Sequence, residues 1–413
     1  MRISVFTPSH DTRFMDAAYA VLAAQSFKDW EWIVLLNGKA TSWKPAASDP
    51  RVKIHRAPPR VRGIGALKRA ACELASGEIL VELDHDDLLS RGCLAQLSDT
   101  FKDPKIVVAY SDWAQLNEDG TANHDRFDLN NGWVYSSGVF EGQTFDRCHS
   151  MVASPHNVGY IWYAPNHVRA FRRSAYDEVG GYDADLAFLD DQDLMCRLYL
   201  VGEFAKVDRC LYFQRMHARM TQLETKTNAA IQEQTVIYYR KHIEPMALAW
   251  AKRRGLRCLR LRTPRWIGDD PDEDYEDVVI DPDDVKLPVD DDSVAIIRCY
   301  DVLNRIRHPA ALCNEAYRVL VHAGLILTQT PSTDGRGAFQ DPSAISYYNE
   351  NSFMYLTQSA LREVIPDLKA RLQISHLRTF HPSPGHEELN ISYVQANLLA
   401  VKDGPRQGGP LLC

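Results

Sequence analysis

Residues 75–87 read Ala-Ser-Gly-Glu-Ile-Leu-Val-Glu-Leu-Asp-His-Asp-Asp, and few stretches restrict a fold more. Ile79 to Leu83 is a largely apolar run of strand length, with Gly77 before it and carboxylates after it. A buried strand ending this way delivers Asp84, Asp86 and Asp87 to one edge of a sheet. Carboxylates so close raise one another's pKa unless a cation lies between them. Oxygen ligands of this kind suit Mg²⁺ or Mn²⁺, which bind through one or two carboxylates together with a substrate's phosphates. A solvated acidic turn after a strand would give the same four residues.

The residues before this stretch decide what kind of sheet it joins. Ile3 to Phe6 reads as a strand, followed by a turn at Thr7-Pro8-Ser9-His10-Asp11. Phe14, Ala17, Ala18, Val21 and Leu22 recur at helical spacing, and Glu31 to Leu36 is a second strand ending in the turn signal Asn37-Gly38. A short third strand at 52–54 and a helix over 65–76 complete the approach to Ile79. Strands alternating with helices argue for a parallel sheet whose ligands bind at the carboxyl ends of its strands. Thr7, Asn37 and Asp84 all fall at such ends, so three strands bring polar groups to one edge.

A chain of 413 residues has room for two domains. No apolar run approaches the ~18–20 residues of a membrane span. The N-terminus reads as a first strand and not as a signal peptide, and nine cysteines without a C-x-x-C pair suggest neither a disulfide framework nor a thiolate zinc site. A cytoplasmic location is the expectation. The net charge of −8 is unevenly spread: residues 269–292 hold thirteen Asp and Glu against Lys286, a local charge of −12, which leaves +4 elsewhere. Just upstream lie Lys252, Arg253, Arg254, Arg257, Arg260, Arg262 and Arg265. Without interleaved aromatics, and beside acids in such number, this run predicts a mutually paired or solvated surface in preference to a nucleic-acid site.

Several ordered segments resemble the family 2 glycosyltransferases of the GT-A fold. They are Thr7 to His10, Gln25 to Val34, Leu67-Lys68-Arg69 with Ala75 to Glu78, and Asp84 to Asp87. Further on, Phe171 to Asp183 resembles the segment before that family's acidic catalytic motif. Leu189 to Arg197 resembles the motif itself, and Arg215-Met216-His217 to Thr221 resembles its closing His motif. The resemblance covers about residues 1–225 and implies an α/β, Rossmann-like GT-A domain acting on a nucleotide-sugar donor, UDP by default. It implies a Mn²⁺ or Mg²⁺ ion held by Asp86, with Asp84 shared between metal and ribose and His217 completing the shell. Donor contacts would come from Thr7, Ser9, Asn37, Lys68, Asp84 and Asp86. Asp191 would be the general base and Asp190 the N-cap of the following helix, so that one displacement inverts the sugar. Two departures stand out: Ser9 where the family commonly has an aromatic residue, and Leu36-Asn37 where it commonly has two Asp.

Residues 120–170 read as a long irregular loop, in which His156 and Trp162 are weak candidates for acceptor contacts. Residues 226–268 read as a helical and basic linker interrupted at Pro245. Over 269–402, the segments 287–306 and 313–331 resemble the C-terminal half of a class I methyltransferase, implying a partial α/β domain. The residues just upstream hold no G-x-G, the only candidate stretch being Arg260 to Gly268, so binding of S-adenosylmethionine is not expected. This half would serve dimerisation, as in a homodimer, or acceptor binding, and residues 403–413 would be a disordered tail. The reading is a metal-dependent inverting glycosyltransferase acting on a glycan, protein or modified nucleobase. Its alternatives are a bifunctional glycosyl- and methyltransferase or a catalytically silent nucleotide-sugar binder.

Overall fold

In the computed structural model, which describes residues 1–140, 142–218, 225–264, 272–405 and 407–409, the first apolar run becomes β1 (Ile3–Ser9). α1 (Met15–Ala23) leads to β2 (Trp30–Leu36), which lies parallel to β1 on one side, with β3 (Val52–Arg56) beyond it. α2 (Ile64–Leu74) then returns the chain to β4 (Ile79–Glu82), parallel to β1 on its other side. Every residue of β2 and β4 is buried, which is why both read as nearly unbroken apolar runs: a parallel strand is covered on both faces.

The chain continues through β5 (Leu88–Leu89), α3 (Cys93–Thr100), β6 (Ile106–Asn117), the hairpin β7 (Tyr135–Phe140) and β8 (Gln143–Cys148), and α4 (Pro155–Gly159). Then come β9 (His167–Arg172), α5 (Arg173–Glu178), α6 (Asp190–Val201) and β10 (Glu203–Met216). The sheet order is β3-β2-β1-β4-β9-β6-β10-β5, with β9 antiparallel to both neighbours and the hairpin attached through β8 to β6. The long loop expected over 120–170 thus contains a β-hairpin and a short helix. Most of β7 is at least partly exposed, so no apolar alternation marks it in the sequence.

The chain divides into two compact units, Met1–Leu129 with Trp133–Met246, and Asn130–Gly132 with Ala247–Cys413. α7 (Thr225–Arg254) is one helix with Pro245 inside it, where an interruption was expected. The second unit is built on β11 (Arg257–Arg262), β12 (Glu276–Val279), β13 (Val294–Tyr300), α8 (Pro309–Val319), β14 (Leu320–Pro331), β15 (Leu372–Phe380) and β16 (Tyr393–Ala400). Its order is β12-β11-β13-β14-β16-β15, the first four strands parallel and β16 antiparallel to both neighbours.

Two expectations change here. The second unit starts well before residue 269: β11 lies inside its sheet, disguised in sequence because Arg257, Arg260 and Arg262 interrupt the apolar pattern. Those arginines pair with the acids of β12, Arg257 with Glu276, and Arg260 and Arg262 with Asp277 at 2.5 and 3.1 Å. Part of the basic run and part of the acidic run are therefore neighbouring strands. Nor is the tail disordered up to residue 409: Gln407 is buried, and Gln373 Nε2 donates to the Gly408 carbonyl at 2.7 Å. Residues 219–221 of the His motif, 265–268 of the Arg260 to Gly268 stretch and 269–271 of the acidic run lie outside the described residues. Among the described residues, no helix is long and apolar enough to cross a membrane.

Candidate active site

Two acidic groups stand near the carboxyl end of β4, and their surroundings differ. The first is the Asp84-His85-Asp86-Asp87 turn. Asp87 is buried and accepts from the Tyr212 hydroxyl and the Arg215 N–H, each at 2.7 Å, which locks the turn onto β10. Arg215 also donates from Nε to the Asp86 carbonyl at 2.8 Å. Asp86 is left with its carboxylate against His217, Oδ2 to Nε2 at 2.8 Å, and the imidazole stacks on Phe14. Burial, reinforced by the Glu82 and Asp86 carboxylates, pushes Asp84 up to about 7 despite Lys68. The turn thus gathers negative charge that its own cations leave undercompensated, as expected of a divalent-cation site. A cavity of about 410 Å³ adjoins it, walled by Phe14, Leu116, Phe140, Phe145 and Arg215.

The second group surrounds Glu82, the last residue of β4. Lys68 of α2 reaches Glu82 at 2.7 Å and Asp190 at 3.0 Å. Arg169 of β9 pairs with Asp191 and approaches Glu82 at 3.7 Å, and the Tyr182 hydroxyl donates to Glu82 at 3.0 Å. Burial raises the Asp191 pKa, but Arg169 and Lys68 outweigh it and hold the carboxyl at about 2. Asp191 keeps 24% of its side chain exposed while Asp190 keeps 5%, so Asp191 is the more accessible.

Placement of the remaining expected residues sharpens the picture. Lys68, expected beside donor phosphates, is buried with its ammonium engaged by two carboxylates. Asp190 does not cap α6. The cap position is Leu189, held at φ 61° without a side-chain bond, and Asp190 is drawn to Lys68 while Asp191 accepts the Gln192 N–H at 2.8 Å. Thr7 is buried, donating to the Leu83 carbonyl at 2.7 Å and accepting from Trp32 Nε1 at 2.8 Å, so its hydroxyl ties β1 to β2 and to the residue that follows β4. Ser9 is buried and donates to the Asp11 carbonyl at 2.7 Å. Asn37 is half-buried at the end of β2, its N–H on the Ser9 carbonyl. His156 is 2% exposed and packed among Tyr160, Tyr163 and Tyr239, so burial removes it from acceptor contact. Trp162 is half-buried against Tyr160 and Tyr163.

Another group has the appearance of a metal centre. Ligand atoms of Asp112, His149 and Asp208 lie within 4.8 Å of one another. Asp112, however, already accepts from Arg147, Lys206, His149 and the Ser150 N–H, so its lone pairs and its charge are taken up. The donor set fits a cation better at Asp86 and His217.

Sequence reasoning missed Arg169, Glu82 and Tyr182. The signal was present: an Arg within the apolar run His167 to Phe171 must be paired if that run is buried, and acids ending a strand and opening a helix are its natural partners.

Residues 4–180 match the family model described as "Glycosyl transferase family 2". The matched residues, Asn130–Gly132 apart, lie within the N-terminal unit. The hyaluronan synthase of Pasteurella multocida is 21% identical over 254 residues, covering 57% of this chain. The match spans about a quarter (24%) of that relative's length. Among solved structures, S. aureus TarS 1–349 in complex with UDP-GlcNAc is 13% identical with a TM-score of 0.43, over 61% of this chain and 71% of that one. The Pyrobaculum calidifontis mannosyltransferase PcManGT, in complex with GDP-Man and Mn²⁺, is 15% identical with a TM-score of 0.38, over 60% and 69%.

Proposed function

We propose that the N-terminal unit moves a glycosyl group from a nucleotide diphosphate donor, UDP by default, to an acceptor hydroxyl with inversion. The observation that carries this is the opposed environments of two neighbouring carboxylate groups. Asp84 is pushed up to about 7 in an undercompensated acidic turn, while Asp191 is held at about 2 by Arg169. Groups whose surroundings drive their pKa values apart mark a division of chemical labour.

Asp86 and His217 would hold a Mn²⁺ or Mg²⁺ ion with Asp84 alongside, and such an ion supplies Lewis-acid stabilisation of the departing diphosphate. Asp191 is ionised at neutral pH and accepts the proton of the acceptor hydroxyl as its oxygen attacks the anomeric carbon. A base of low pKa pulls weakly on a free hydroxyl, so Asp191 also orients the acceptor by hydrogen bonding. Lys68, Glu82 and Asp190 keep α6 seated on β4, so that Asp191 is presented at a fixed place. Thr7 acts through Trp32 and Leu83 and shapes the floor of the donor site without needing to touch the donor.

The C-terminal unit is read as a methyltransferase-like accessory. Support comes from its parallel β11–β14 core, its strand–helix–strand passage through β13, α8 and β14, and the lack of a G-x-G between β11 and β13.

The test is nucleotide-sugar turnover across donors with Mn²⁺ or Mg²⁺, and the same after EDTA. Asp86→Ala is expected to abolish turnover, and Asp191→Asn to lower transfer by about 10²-fold or more with donor affinity kept. Full activity in excess EDTA would remove the metal assignment, and a nearly active Asp191→Asn would remove the base.

A further inference from the structure

The cavity beside the acidic turn takes no part in the proposed transfer. It holds about 410 Å³, within the ~300–1,000 Å³ of small-molecule sites. Its rim is exposed at Arg13, Glu118, Asp119 and Gln143, so a ligand can enter from solvent. Its floor is buried and apolar, with Leu88, Leu116 and Phe145 only 8%, 4% and 5% exposed. Phe14 and Phe140 are half-buried walls, each backed by another ring. Phe14 stacks on His217, and Phe140 on Phe213 with centroids 3.9 Å apart.

Arg215 is the polar group of these walls and is 4% exposed. Its Nε donates to the Asp86 carbonyl at 2.8 Å, and its Nη1 to the Asn117 and Glu118 carbonyls at 3.4 and 2.9 Å. Nη2 is left without a hydrogen-bond partner among the described residues. Arg13, the other cation lining the cavity, is by contrast taken up by Asp11 at 2.7 Å and Glu118 at 2.9 Å. A guanidinium N–H at the wall of an apolar cavity is a ready donor for one acceptor atom of a ligand. No anion is called for. The Asp87, Asp86, Asp119 and Glu118 carboxylates all act on Arg215 from nearby, and the lining carries two cations, Arg13 and Arg215, against two acids, Glu118 and Asp119.

The cavity thus offers flat apolar faces, one donor and no net charge. Aromatic rings stack on phenylalanine and on a guanidinium plane alike, and the Arg215 guanidinium already lies 4.6 Å from the Phe14 centroid. An aliphatic chain would use the floor but not the donor, and a sugar would turn most of its hydroxyls toward apolar walls. We propose that this cavity binds a small, uncharged aromatic ligand, its ring among Phe14, Phe140 and Phe145 and one acceptor atom on Arg215 Nη2. Such an occupant touches Phe14, which stacks on His217, and Arg215, which holds the Asp86 carbonyl, so it borders the acidic turn without using its carboxylates.

The experiment measures binding and not transfer, so its failure is separate from failure of the glycosyl-transfer reading. Saturation-transfer NMR titrations of the full chain use benzamide as the probe, with benzoate and cyclohexanecarboxamide as controls for charge and for the flat ring. Benzamide is expected to bind, and each control to bind at least about threefold more weakly. Ala17→Trp fills the cavity from an exposed position on α1 and should abolish binding, and Phe140→Leu should weaken it about threefold to tenfold. Thermal melting checks that both variants fold. Should one fail, the other decides, and should both fail, the probe series on the unmutated protein decides. Phenyl glucoside distinguishes the source of the ring: binding as tight as that of benzamide marks the aglycone of an acceptor, weaker binding marks a free ligand, and either supports the site. The proposal is overturned if benzamide does not bind, if either control binds as tightly, or if neither substitution weakens binding. Displacement of benzamide by UDP would also overturn it, by making the cavity part of the donor site.

Discussion

Arg169→Met removes the guanidinium that serves Asp191 and Glu82 while keeping a long apolar side chain in its place. Arg169 and Glu82 expose 9% and 5% of their side chains, and Asp191 exposes 24%, so little solvent takes over the lost role. Lys68 alone would then face Glu82, Asp190 and Asp191. Holding Asp191 at about 2 instead of 3.8 accounts for about 2 kcal/mol at neutral pH. Stripping the partner from a buried carboxylate typically costs about 3–5 kcal/mol, so a loss in that range is expected. The sign with pH follows from the direction of the shift. Because the folded pKa lies below the unfolded one, the wild-type contribution is complete above about pH 4 and fades as pH falls toward 2. In the variant, burial beside Glu82 raises Asp191 above 3.8, so the penalty is largest at pH 7 and shrinks as acid protonates the group. Urea unfolding of both proteins at pH 7 and pH 5, following the first unit's transition, measures it. A penalty under about 1 kcal/mol at pH 7, or one equal at both pH values, would refute the reasoning.

Other outcomes follow from single contacts. Thr7→Val removes a hydroxyl that donates to Leu83 and accepts from Trp32, and should lower stability by about 1–3 kcal/mol in thermal melts while donor affinity changes little. A Cβ on Gly65 would lie 2.3 Å from the Asp183 carbonyl oxygen and 3.2 Å from Asp190 Cβ. Gly65→Ala should therefore cost about 1–3 kcal/mol and slow transfer by displacing the Asp190–Asp191 end of α6. Calorimetry with S-adenosylmethionine should show no binding, and micromolar affinity would favour a bifunctional enzyme.

The N-terminal half was legible because its strands are covered on both faces, so β1, β2 and β4 stand out as apolar runs that end in polar residues. The acidic turn could be read from four consecutive residues. The support for Asp191 could not, because Arg169, Lys68 and Glu82 come from three separate elements and meet only through β4–β9 pairing and the seating of α2. Residue type also misled where one side chain can do two jobs. Lys68 has the chemistry of a phosphate ligand and is found neutralising carboxylates, and Asp190 has the chemistry of a cap and is found paired to Lys68. β11 was hidden because arginines serving the acids of β12 occupy half its positions.

Asn130–Gly132 belongs to the C-terminal unit although Leu129 and Trp133 belong to the N-terminal one. Near the far end of the described chain, the Gly409 N–H donates to the Asn131 carbonyl at 3.1 Å. No single codon therefore divides the gene into one half per unit. A fragment ending at Met246 would carry three residues that belong with the missing part, and a fragment beginning at Ala247 would lack them. Even trimming the last dozen residues would remove the partner of Asn131, so an affinity tag is better placed before Met1 than in exchange for the C-terminus.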